Sequence, residues 1–197
     1  MDGFSNLQVL DVPGYPSGKW YVDLPSCLRR RFKINRGDGM SKNWNPNWLA
    51  FNHFVEVGDS EIIDFPVVVG DEWFCMSGQM KRIVETFSPE ACEFLPIVLV
   101  DETAENRIVD YFIVNFLNYV HAIDKKRSTL MEGETRFVLH GGDAYYLDRI
   151  VLQQSKLVGA IGRVVGCWDI IYCRDDLRDA LMKAGITSIQ FKPFELS

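Results

Sequence analysis

Trp73-Phe74-Cys75-Met76-Ser77 opens the stretch that decides the fold class, which closes on Glu93-Phe94-Leu95-Pro96-Ile97-Val98-Leu99-Val100. The first run is short, apolar and aromatic, as a buried strand is. Ser77 is a fair N-cap, and Met80, Ile83, Val84 and Phe87 follow at i, i+3, i+4 and i+7, the spacing of one apolar helix face. Ser88-Pro89 ends the helix, and the second run reads as the next strand. The unit is strand–helix–strand.

The end of the chain repeats that design. Asp169-Ile170-Ile171-Tyr172-Cys173 reads as a strand, and Asp175 and Asp176 suit the positive start of a helix. Leu177, Ala180, Leu181 and Ala184 make its apolar face, Lys183 complements the last turn, and Gly185 suits the position past the end. Ser188-Ile189-Gln190-Phe191-Lys192-Pro193 reads as the closing strand. The two units align without a gap at an offset of 97, which brings Phe94 onto Phe191 and Pro96 onto Pro193. We read two similar modules, each closing on a Phe-x-Pro strand end.

Between them, Tyr111-Phe112-Ile113-Val114-Asn115-Phe116-Leu117 is nearly continuously apolar, as in a centrally buried strand. Arg136-Phe137-Val138-Leu139 and Tyr145 to Leu152 flank Gly141-Gly142-Asp143, which reads as a hairpin turn. Mixed strands with few helices give an α+β class, two similar modules packed as one unit. The expected organisation is an N-terminal segment, residues 1–65, packed on a body of residues 66–197.

Inside that segment, Val12-Pro13-Gly14-Tyr15-Pro16-Ser17-Gly18 is turn chemistry and Lys19-Trp20-Tyr21-Val22 reads as a short strand. Arg29-Arg30-Arg31 reads as a solvated face rather than a phosphate clamp. Trp44 and Trp48, set among asparagines and a proline, are candidate aromatic anchors for a partner, with folding back onto the core as the alternative.

Composition narrows the function classes. Hydrophobic residues at 47% and charged residues at 24% describe an ordinary globular protein. No run approaches the roughly 20 apolar residues that span a bilayer. Met1-Asp2-Gly3-Phe4-Ser5 has neither the basic nor the apolar region of a secretory signal, so the expected address is the cytoplasm, with no membrane partner. Five cysteines with no C-x-x-C pair suit buried thiols in a reducing compartment. The net charge of −6 is uneven: residues 1–42 carry seven basic and four acidic side chains, leaving 14 and 23 for the rest. An acidic body disfavours nucleic acid and suits a basic protein partner.

A search for chemistry finds no catalytic constellation. His53, His121 and His140 are isolated and outside metal-ligand spacing. His121 stands three residues before Asp124, which admits a ligand or acid–base pair, but a satisfied structural histidine is the plainer reading. No nucleophile elbow or phosphate loop is present in the sequence. We expect no enzyme, no metal and no cofactor. Asp101, Glu102 and Glu105 follow a strong strand and form a candidate contact surface for a basic partner, a solvated loop being the alternative.

Three blocks in order carry a family resemblance: Glu93-Phe94-Leu95-Pro96-Ile97; Tyr111-Phe112-Ile113-Val114-Asn115 running into Ala122-Ile123-Asp124-Lys125-Lys126-Arg127-Ser128; and Leu181 through Ala184-Gly185-Ile186-Thr187-Ser188-Ile189-Gln190-Phe191-Lys192-Pro193. Over residues 65–196 the chain resembles the immunity proteins of bacterial polymorphic toxin systems, many of them named as Myxococcus-type immunity proteins. It departs from them at Ser188, where glycine is expected, and its first 65 residues lie outside the resemblance. The resemblance implies a protein that binds and neutralises a cognate toxin by occlusion, without catalysis. A nuclease is the toxin class that an acidic body suits first, and self-association stays open. It implies no catalytic residues. Asn115, in an apolar strand, should satisfy its amide by hydrogen bonding, and Asp124 and Ser128 should make capping and turn bonds after the strand. The rival reading is a regulatory sensor with a small-molecule pocket between the modules.

Overall fold

Ser77 does cap the first helix: its Oγ accepts from the Met80 amide at 3.2 Å, and the Ser88 amide closes the other end on Val84 O at 2.9 Å. The second helix ends in a Schellman motif. Gly185 adopts φ +69°, its amide donates to Met182 O, and the Ile186 amide donates to Leu181 O. Ile186 is thereby turned into the core beside Leu181.

The computed structural model describes residues 3–9, 20–23, 39, 41–45, 49–54, 64, 67–68, 74–101, 107–130, 137–139, 142–144, 147–186 and 189–197. In chain order the elements begin with β1 (Phe4–Val9), β2 (Trp20–Asp23), β3 (Leu49–Phe54), β4 (Val67–Val68), β5 (Phe74–Ser77), α1 (Gly78–Phe87), β6 (Cys92–Asp101) and β7 (Arg107–Phe116). Short strands follow: β8 (Tyr119–Val120), β9 (Thr129–Leu130), β10 (Phe137–Leu139), β11 (Gly142–Ala144), β12 (Leu147–Arg149) and β13 (Val151–Leu152). The chain closes with β14 (Ile161–Val164), β15 (Cys167–Arg174), α2 (Asp175–Lys183), β16 (Ile189–Pro193) and β17 (Glu195–Leu196). Mixed sheets with two α-helices among the described residues make this an α+β protein. Neither helix is long and apolar enough to cross a membrane.

Two sheets organise the molecule. One is a closed barrel in the order β2-β3-β6-β7-β5-β4; the other is an open sheet in the order β16-β1-β15-β14-β8. Strand alternation divides the side chains between layers. Phe74, Met76, Phe94, Val114 and Phe116 point out of the barrel into a core shared with Met80 and Val84 of α1 and Leu177 and Leu181 of α2. Leu7, Ile161, Ile171 and Cys173 of the open sheet enter the same core. The alternate barrel positions, Cys75, Leu95, Ile97, Tyr111 and Ile113, are buried on the other face. The open sheet is covered on its far side too, where Phe4, Val164, Ile170 and Tyr172 pack with Ala122 and Leu152. Arg163, only 1% exposed, joins the sheets: its guanidinium carbon lies 5.2 Å from the Phe74 ring centroid.

The two modules share their strand register as well as their sequence pattern. In the first, β7 lies between β5 and β6, and Val114 stands opposite both Phe74 and Phe94. In the second, β1 lies between β15 and β16, and Leu7 stands opposite both Ile171 and Phe191. Phe74 and Phe94 plus 97 are Ile171 and Phe191, so the registers coincide. The middle strand differs in origin. β7 follows β6 through a hairpin, whereas β1 comes from the other end of the chain.

Two expectations need correction. Pro96 does not close the first module's strand, because β6 runs on to Asp101. Its ladder to β3 begins at Val98, just past the position where proline has no N–H to donate, and a bulge lies between Ile97 and Leu99. The expected hairpin turn also falls earlier. Leu139 pairs directly with Gly142, so Gly142 and Asp143 belong to the returning strand. The stretch up to Leu152 is then divided, β12 pairing with β9 and β13 with β17.

Candidate partner-binding site

Beyond β8 the chain folds into a tight turn held by main-chain bonds and by the side chains of Asp124 and Ser128. The Asp124 amide donates to Val151 O at 2.8 Å and the Gln153 amide to Ala122 O at 2.7 Å, which ties the turn to β13. Asp124 Oδ1 accepts from the Lys126 and Arg127 amides at 3.0 and 3.2 Å, the bonding expected of aspartate in this position. Ser128 Oγ accepts from the Val151 amide at 3.0 Å and donates to Val151 O at 3.2 Å. Ala122 and Leu152 are fully buried beneath. Asp124 and Ser128 therefore hold the turn, and Lys125, Lys126 and Arg127 project from it, all exposed.

A cleft of about 590 Å³ opens beside this turn. Among the described residues His121, Ile123, Asp124, Lys125 and Lys126 line it from the turn, with Gln153 and Val165 from other parts of the chain. His121 is exposed at the cleft. Among the described residues no group of three or more His, Cys, Asp or Glu could hold a metal ion. At the foot of the turn, Glu195 accepts from Arg149 Nε at 2.9 Å and from Arg127 Nη2 at 3.3 Å.

Both carboxylates are held below their ordinary range. For Asp124 the Ser197 hydroxyl is the main cause, with partial desolvation opposing and the two turn amides and the Arg127 charge adding. For Glu195 the Arg149 hydrogen bond leads. A lowered folded-state value means the stabilising effect is present above the unfolded value and is lost as pH falls through the folded one. The Lys126 and Arg127 amide resonances should therefore titrate with a midpoint below the ordinary aspartate value, and Asp124→Asn should abolish that titration. An unshifted midpoint would show that the carboxylate does not hold the turn.

The partner-contact candidates from the sequence are placed only in part. Trp44 is half-buried against the barrel, its indole N–H donating to Pro96 O at 2.7 Å. Nearby, the Ser41 amide donates to Glu93 Oε1 at 2.9 Å, and Asn115 Nδ2 donates to Glu93 Oε2 at 3.0 Å. The buried Asn115 amide is thus satisfied from the neighbouring strand. Asp101 ends β6 opposite Asn52 of β3. Trp48, Glu102 and Glu105 lie outside the described residues. Trp44 is not among the described residues that line the cleft. Reading the sequence missed Lys125, Lys126 and Gln153 as cleft residues, although the first two stand inside a quoted block.

The model of the immunity protein family Imm11 matches residues 55–195, more than two thirds of the chain. The protein belongs to this family. The Imm11 match contains every described residue of the cleft and starts within residues 1–65, the segment expected to pack on the body. It spans β4 to β16 and leaves out β1, the strand that completes the second module. No match is found among curated proteins.

Proposed function

We propose that this Imm11 protein neutralises a cognate toxin by binding it and occluding its working surface, without catalysis. The observation that carries the reading is the Imm11 match, which implies a toxin partner in general. A preformed contact surface supports it, because the turn at residues 124–128 is fixed by main-chain and side-chain bonds before any partner arrives. Rigid surfaces lose little entropy on binding, the condition under which toxin–inhibitor pairs reach extreme affinity. The protein acts in the cytoplasm of the producing cell, and a nuclease is the first toxin class to test.

Co-purification with the product of the adjacent upstream gene, followed by a growth-rescue assay, tests this. A stable complex and restored growth are expected. A folded toxin that neither binds nor is neutralised would overturn the reading. Two further sets of residues are also proposed as contacts: the acidic residues Asp101, Glu102 and Glu105, and the tryptophans Trp44 and Trp48. Charge reversal of the three acids should weaken the complex and flatten its salt dependence. Alanine at both tryptophans should weaken it in a protein that still folds. The cleft favours one second reading, a small-molecule sensor, and a metabolite retained through purification would support that instead.

A further inference from the structure

We infer that the chain is two copies of one unit that have exchanged their first strands, so that a single polypeptide has the architecture of a strand-swapped homodimer. The first copy runs β1, β2, β3, β4, β5, α1, β6; the second runs β7, β8, β13, β14, β15, α2 and β16 with its continuation β17. Every neighbour pairing of the barrel recurs in the second copy with the same sense. β2 is parallel to β4 as β8 is to β14, and β4 is antiparallel to β5 as β14 is to β15. β7 lies antiparallel between β5 and β6, as β1 does between β15 and β16. β6 is parallel to β3 as β17 is to β13. Ile123 bridges antiparallel to Leu152, as β2 pairs with β3, and closes the second ring.

Residues match as well as strands. Phe74 and Ile171, related by the offset of 97, pair with Val67 and Arg163, and these pair with Tyr21 and Tyr119. Val22 and Val120 come next, so a Tyr-Val step recurs at the same place. Glu93 matches Gln190 and Asn115 matches Gln8. Asn115 Nδ2 donates to Glu93 Oε2 at 3.0 Å, and Gln190 Nε2 donates to Gln8 Oε1 at 3.5 Å. The helix starts show a compensated exchange. Tyr111 pairs with Ser77 and Phe4 with Arg174, so Asp110 matches Gly3 and Gly78 matches Asp175. Each juxtaposition holds one aspartate and one glycine, with the roles reversed. A Cβ on Gly78 would overlap the Asp110 carboxylate, and a Cβ on Gly3 would overlap that of Asp175. Each carboxylate meets an arginine of its helix, Asp110 with Arg82 at 3.7 Å and Asp175 with Arg178 at 2.7 Å. The strand supplies the acid in one ring and the helix supplies it in the other.

The exchange makes each ring depend on the opposite copy. β1 opens the first copy but completes the second ring, and β7 opens the second copy but completes the barrel. The core between them, which α1 and α2 share, corresponds to the interface of the swapped dimer.

A circular permutant tests whether β1 stands in the place of β7. It starts at Leu10 and joins Ser197 to Gly3 through nine residues, the number between Val100 and Asp110, whose matches Ser197 and Gly3 are. β1 then follows β17 as β7 follows β6, and each ring is one continuous stretch of chain. The permutant should melt in one cooperative transition within about 5 °C of the native chain, as permutation between neighbouring ends allows. A folded permutant that melts in two steps, or more than about 15 °C lower, would overturn the inference. The aspartate–glycine pairs decide the matter in the native chain order if the new junction itself prevents folding. Gly3→Asp alone should lower the melting temperature by about 5 °C, by crowding a second carboxylate against Asp175. Adding Asp175→Gly recreates the arrangement of the first ring and should restore at least about half of the loss. Gly78→Asp followed by Asp110→Gly should behave alike. Rescue in both rings supports matching positions, whereas additive losses in either ring refute them.

Discussion

Leu7→Ala is expected to destabilise the protein by about 3 kcal/mol, and Leu7→Asp to abolish cooperative folding altogether. Leu7 is fully buried in the core shared by α1, α2 and the open sheet. Its strand, β1, separates β15 from β16, which have no ladder with each other. Phe4 to Leu7 pair with β15 and Ser5 to Val9 with β16, so losing β1 unmakes both ladders. A chain starting at residue 66 is expected not to fold for the same reason. Urea denaturation followed by circular dichroism measures all three, with Gln8→Ala in the same strand expected to change stability by less than about 0.5 kcal/mol. A cooperative transition of normal midpoint in the truncated chain would show that β1 is an accessory to a self-sufficient body.

Gly162→Ala should cost about 2–3 kcal/mol, the upper range for overpacking a rigid core. Gly162 lies in β14, where an added Cβ would meet Asn118 O at 2.6 Å and overlap the Tyr172 hydroxyl. Neither neighbour can retreat. Asn118 O accepts the Arg163 amide at 2.8 Å, and the Tyr172 hydroxyl donates to Val158 O at 2.7 Å from a fully buried ring. Gly185→Ala tests the other use of glycine, because its Cβ would meet nothing and only φ +69° opposes it. That change should cost about 1 kcal/mol. Combining Gly162→Ala with Tyr172→Phe should be less damaging than the sum of the two, since one clash disappears with the hydroxyl. Strict additivity would mean that the hydroxyl is not what the alanine meets.

What the sequence makes legible here is local. Met80, Ile83, Val84 and Phe87 announce α1 because a helix buries neighbours three and four residues apart. Gly185 announces the end of α2 because only its own backbone decides the conformation. Asp124 is legible as a turn residue for the same reason, since the Lys126 and Arg127 amides lie within the turn, whereas the partners of Ser128 at Val151 lie far along the chain. Barrel closure was not legible, because β4 and the β2–β3 ladder depend on partners far along the chain. Leu7 looks unremarkable until Ile171 and Phe191 are seen on either side of it. Pro96 misled because a proline can sit inside a strand wherever no neighbour needs its N–H. The cleft was hidden for the same physical cause as the barrel. Lys125 and Lys126 could be read, but Gln153 and Val165, which turn two lysines into a lined cavity, arrive from other elements.

The most direct test of the account is a titration of the partner toxin's activity with this protein. Occlusion predicts that activity falls in proportion to added protein and reaches zero at one equivalent. It also predicts recovery of full toxin activity once the complex is dissociated and the immunity protein removed. Inactivation by a small fraction of an equivalent, with no recovery after separation, would contradict it and identify an enzyme that modifies the toxin.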